Sequence, residues 1–86
     1  MYLHLGQNTI VKQKDIIGIF DIEKASTEKR TREFLAKAEK NGQVVNVSYE
    51  MPKTFCVCVH PQTGVRVYIT PISVQTLQRR QNNILG

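Results

Sequence analysis

The sequence predicts an α+β fold: a small, mostly antiparallel sheet with one main helix and a short C-terminal helix. Three observations carry this expectation. Short apolar runs recur from Tyr2 to Ile69, several of them alternating with polar residues in the period of a strand. Gly, Pro and Asn separate these runs. One long segment, ending at Asn41-Gly42, carries apolar residues at helical spacing instead. The expected order is β-β-β-α-β-β-β-α, in a single domain over residues 1–81 followed by a flexible tail over residues 82–86.

Tyr2-Leu-His-Leu5 alternates as a half-buried strand does, and Gly6-Gln-Asn8 supplies a turn. Thr9-Ile-Val11 then returns as the second arm of a hairpin. Lys12-Gln-Lys-Asp15 is a polar connector to a third strand, Ile16-Ile-Gly-Ile-Phe20, where Gly18 implies a bulge or a close approach. Ser26 or Thr27 is the expected helix N-cap, with Glu28 in the first turn. Thr31, Phe34, Leu35 and Ala38 form the apolar face, and Gly42 is the left-handed residue that ends the helix. Glu28–Arg32 and Glu33–Lys37 are spaced as ion pairs on the solvent side. Gln43–Tyr49 reads as a strand. Thr54–Val59 and Val65–Ile69 follow as a hairpin around His60–Gly64, and Ser73 caps a last helix from Val74 to about Gln81.

The chain has 86 residues and a formal charge of +5, and its acids are unevenly placed: residues 51–86 contain no Asp or Glu. Lys53, Arg66, Arg79 and Arg80 all fall in that stretch, a distribution that suits a polyanionic partner. A small domain of this size is readily stabilised by self-association. No apolar run is long enough for a membrane span, and the N-terminus lacks the pattern of a secretory signal, so a cytoplasmic, membrane-free protein is expected.

The two cysteines, Cys56 and Cys58, together with His60, have the residue types of a zinc site. On a regular strand, however, alternate residues repeat every ~6.6 Å, too far for two thiolates on one ion. Small apolar thiols packed in a sheet, reduced and without metal, are therefore expected. There is no glycine-rich phosphate loop, nucleophile elbow or paired catalytic acid, so neither enzyme activity nor a cofactor is expected. The candidate nucleic-acid contacts are Lys12, Lys14, Lys53, Arg66, Arg79 and Arg80, since loop cations neutralise phosphates and Arg also reads guanine edges. Each has a plainer reading: Lys12 and Lys14 as solvated guards of an edge strand, Arg79 and Arg80 as partners of helix-end carbonyls.

The opening Met-Tyr-Leu-His-Leu-Gly6 and the run Ile16-Ile-Gly-Ile-Phe-Asp-Ile-Glu23 resemble the extracellular matrix regulatory protein family, and its RemB branch in particular. The resemblance continues through Pro52-Lys-Thr54, the Val-rich hairpin and Ile72-Ser-Val-Gln-Thr-Leu-Gln-Arg-Arg80. It implies a cytoplasmic bacterial regulator of biofilm-matrix genes that binds duplex DNA as a homo-oligomer, in the RemA branch a ring. That branch has a basic residue after its second strand and another in the loop before the penultimate hairpin. Lys53 stands in the second of these positions; Asp15 stands in the first, with Lys14 beside it. A co-assembling role beside a related regulator, without direct DNA contact, is the alternative.

Overall fold

The computed structural model describes residues 1–6 and 8–85, with side chains through Gln81. The strands are β1 (Tyr2–His4), β2 (Ile10–Lys12), β3 (Ile16–Asp21), β4 (Val44–Asn46), β5 (Thr54–His60) and β6 (Gly64–Thr70). The helices are α1 (Ile22–Ala25), α2 (Lys29–Lys40) and α3 (Val74–Leu85), and a 3₁₀ turn at Gln13–Asp15 joins β2 to β3. The α+β class and the order of the main elements match the expectation. The last helix continues past Gln81 to Leu85; the tail expected over 82–86 falls outside the described side chains, and Gly86 outside the described residues altogether.

The strands form two sheets rather than one. A four-stranded sheet has the order β3-β5-β6-β4, and the β1–β2 hairpin is a separate two-stranded sheet. In the main sheet β5 pairs antiparallel with β3 and β6, whereas β4 runs parallel to β6 along the edge. The period-two pattern of β5 and β6 feeds two cores. Phe55, Val57 and Val67 pack with Ala38 and Leu35 beneath α2. Cys56 and Cys58 pack on the opposite face with Leu3, Leu5, Val11 and Leu77. The hairpin thus stacks on the sheet through its inward leucines and valine instead of lengthening it, and α3 docks beside it through Leu77.

Local chemistry explains most boundaries. Gly42 adopts φ +71°; its N–H donates to the Glu39 carbonyl and that of Gln43 to Ala38, a Schellman closure of α2. Ser73 Oγ accepts from the Thr76 N–H at 3.2 Å, as the expected cap of α3. Gly18 marks a bulge: Ile16 faces Cys58 and Gly18 faces Val57, leaving Ile17 unmatched. A Cβ on Gly18 would lie 2.5 Å from the Phe20 ring, which stacks on Phe55 at 5.1 Å.

The start of α2 differs from the expectation. Asp21 ends β3 and also caps the short α1, accepting from the Lys24 N–H at 3.2 Å. Ser26 and Thr27 then donate backwards, to the Glu23 and Lys24 carbonyls, so they close α1 rather than open α2. Glu28 takes the N-cap position without a side-chain bond, and Arg32 donates to the Ser26 carbonyl at 2.8 Å. Phe34, expected on the buried face, remains 40% exposed.

Candidate nucleic-acid interface

The hairpin register determines which side chains share its outer surface. Tyr2 lies opposite Lys12 and His4 opposite Ile10, while Leu3 and Val11 point into the core. On β6, Arg66 and Tyr68 lie opposite Cys58 and Cys56, on the sheet face that the hairpin covers. Between hairpin and sheet opens a cleft of about 710 Å³, whose lining includes Tyr2, His4, Lys12, Asp15, Arg66 and Tyr68. Burial, and next the neighbouring Cys58, push the Tyr68 phenol above its ordinary value, against the pull of Arg66.

Arg80 joins this group from α3. Its Nη1 donates to the His4 carbonyl at 3.1 Å, which holds the guanidinium against the hairpin. Lys14, exposed in the 3₁₀ turn, stands two residues from Lys12. Arg79 is exposed on α3, about 100° around the helix from Arg80. Lys53 is placed elsewhere. Its backbone bonds to the Thr70 carbonyl and the Ile22 N–H, immediately before β5. The five-residue run from Lys53 to Cys58, the partner of Arg66, puts roughly 17 Å of strand between the two cations. Lys12 and Arg66 therefore share the cleft and Arg80 reaches the hairpin at His4, whereas Lys53 lies at the opposite end of β5 from Arg66, where Thr70 bonds the Leu5 carbonyl.

Sequence reasoning missed the cleft's aromatic and imidazole members, Tyr2, His4 and Tyr68. The alternation of Tyr2 and His4 against Leu3 and Leu5 was the available signal, since it places them on the outer face together. The cysteines also depart from the strand-repeat argument. Cys56 and Cys58 are free and buried, but their side chains lean together until the sulfurs are 3.9 Å apart. The hydrogen bond to Cys58 and then burial raise the Cys56 thiol far above its ordinary range.

A second surface is apolar. Ile17, Phe20 and Phe34, 66%, 43% and 40% exposed, border a groove of about 410 Å³ between β3 and α2. Because β3 pairs only with β5, its other edge is open. Among the described residues no helix is long and apolar enough to cross a membrane.

Comparison with known proteins places these features in a family. The family model described as RemA-like, extracellular matrix regulatory protein A-like, matches residues 2–80. Extracellular matrix regulatory protein B of Bacillus subtilis (strain 168) is 39% identical over 80 residues, covering 93% of this chain and 89% of the relative. The family model's match over residues 2–80 takes in the hairpin, both core layers and the start of α3 as far as Arg80. The chain belongs to the extracellular matrix regulatory protein family.

Proposed function

We propose that this protein is a non-catalytic, cytoplasmic transcriptional regulator that binds duplex DNA as a homo-oligomer. The observation that carries the reading is the convergence of Lys12, Arg66 and Arg80 around the β1–β2 hairpin, in a chain whose residues 51–86 hold no acid. Such a cluster neutralises phosphates, and repeating it around an assembly multiplies weak contacts through effective concentration. The open β3 edge and the apolar groove beside it supply a surface for self-association. Lys53, about 17 Å along β5 from the partner of Arg66, extends the basic track of an assembly.

Fluorescence anisotropy with a duplex, at about 50 mM and about 200 mM salt, tests this. Three phosphates neutralised per subunit give a slope near −2.7, and so a loss of about 40-fold over that range. Lys12→Ala with Arg66→Ala and Arg80→Ala should abolish most of that slope. Light scattering on the same samples should report a mass above one chain. Absence of wild-type binding at the lower salt would sink the proposal.

Asp15 favours a second reading. It is the one acid among the cleft's lining residues, which it shares with Lys12 and Arg66. A module that co-assembles with a related regulator, leaving DNA to that partner, accommodates it. Co-elution with a purified family relative, together with no DNA affinity of its own, would select this reading.

A further inference from the structure

We infer that the cleft beside the hairpin is a binding site for a free nucleoside monophosphate, with its base against Tyr2 and Tyr68 and its phosphate on Lys12 and Arg66. The inference goes beyond the regulatory reading and is measured separately from it, although the two share Lys12 and Arg66. The two walls of the cleft carry matching pairs. On the hairpin, Tyr2 and Lys12 are directly opposed, which puts their Cβ atoms about 5 Å apart. On the sheet, Arg66 and Tyr68 share one face of β6, separated by one strand repeat of ~6.6 Å. Each wall therefore offers one ring and one cation at neighbouring positions, and all four residues line the same cavity.

This lining selects a ligand class. Nucleobases stack on aromatic rings whatever their edge pattern, and Arg and Lys neutralise phosphate. Asp15 narrows the choice further. A carboxylate repels a bare phosphate but accepts hydrogen bonds from a ribose hydroxyl or an exocyclic amino group. A ligand that carries donors as well as an anion thus uses the whole lining, Asp15 included. His60 adds a donor: its Nδ1 accepts the Gln62 N–H at 3.1 Å, so the neutral ring carries its proton on Nε2.

Size points the same way. The cleft of about 710 Å³ falls in the range of small-molecule sites, about 300–1,000 Å³, and exceeds what one inorganic anion fills. Bases within a duplex are stacked and paired, and enter such a cavity only if flipped out. A free mononucleotide meets no such cost. Duplex DNA therefore uses the cations but not the rings, and a bound nucleotide takes the cations from it.

The test is isothermal titration of the wild-type chain in phosphate-free buffer. The probes are the four ribonucleoside 5′-monophosphates, their parent nucleosides and inorganic phosphate. At least one nucleotide should bind about 10-fold more tightly than its nucleoside or phosphate alone, because linked groups bind with a high effective concentration. Arg66→Ala should weaken the nucleotide about 10-fold and leave nucleoside affinity unchanged. Tyr2→Ala, at an exposed position, should weaken nucleotide and nucleoside together and spare phosphate, with Tyr2→Phe restoring both. These splits separate lost contacts from misfolding, because an unfolded variant loses every ligand. Lys40→Ala, which removes the same charge from the end of α2, should change none of these affinities. No saturable binding of any nucleotide up to about 5 mM, or phosphate alone binding as tightly, would overturn the inference. Nucleotide binding without duplex binding would leave it standing and refute the regulatory reading instead.

Discussion

Thr54 and Thr70 face each other across β5 and β6, both with no exposed surface, yet replacing each by Val should move stability in opposite directions. Thr70 Oγ1 donates to the Leu5 carbonyl and accepts from the Ile72 N–H at 3.2 Å, tying the hairpin and the entry to α3 to the sheet. Val has the same shape but neither bond. The lost net hydrogen bonding, about 1 kcal/mol, and the orphaned Leu5 carbonyl, about 1–3 kcal/mol, together cost about 2–4 kcal/mol. The added methyl returns less than ~1 kcal/mol of that. Thr54 Oγ1, in contrast, is buried with no hydrogen-bond partner among the described residues. Thr54→Val removes an unsatisfied hydroxyl and should stabilise by about 1 kcal/mol. Urea denaturation followed by circular dichroism, at one fixed protein concentration, reads both changes. With a slope of ~1.5 kcal/mol/M, a 2.5 kcal/mol loss lowers the Thr70→Val midpoint by about 1.7 M. Two variants shifting in the same direction would refute the reasoning.

Leu77→Ala should destabilise by about 2–5 kcal/mol in the same assay, because Leu77 is fully buried against Leu3 and Leu5. By loosening α3 it should also weaken any DNA affinity that depends on Arg80. Gly42→Ala, at φ +71°, should cost about 1–2 kcal/mol, although a Cβ there meets nothing within 4 Å. The cost is purely conformational, and an unchanged midpoint would refute it. Tyr68 holds its proton more tightly in the folded protein than its ordinary value near 10 implies, chiefly through burial. Its contribution is fully present below about pH 10 and is lost as pH rises past the folded value, so stability should decline on that side. Tyr68→Phe should flatten this alkaline decline in a pH series of denaturation curves.

Local signals in the sequence located most of these elements. Gly42, Ser73 and Gly18 each require a particular backbone or hydrogen bond, and each sits where its chemistry predicts. The alternation of Phe55, Val57 and Val67 against Cys56 and Cys58 also anticipates two faces. What escaped depends on partners distant in sequence. Nothing within Val44–Asn46 specifies that β4 should run parallel to β6, and nothing in Leu3 or Val11 says that the hairpin stacks on the sheet rather than joins it. Asp21 serves both as the last strand residue and as a cap, so the four-residue α1 is hidden beneath a strand ending. For the candidate site, Lys12, Arg66 and Arg80 were recognisable as cations but not as neighbours. Only the ladder registers and the bond from Arg80 to His4 bring them together, and the same registers set Lys53 at the other end of β5 from Arg66. The sulfur separation depends on side-chain rotation, which strand spacing does not determine.

The hairpin's fastenings have a consequence for how the molecule is made. Its Leu5 carbonyl is bonded to a residue 65 positions later and its His4 carbonyl to one 76 positions later. The hairpin therefore docks on elements that follow it by more than 60 residues. During synthesis Leu3, Leu5 and Val11 have no finished surface to cover, and the Cys56–Cys58 face has no roof until α3 is complete. Closing so long a loop is an entropic cost met late, which places this layer after the β5–β6 hairpin in order of formation. A chain stopped before Leu77 would forfeit the docking of Leu3 and Leu5 along with α3, so the hairpin and this helix stand or fall as one unit.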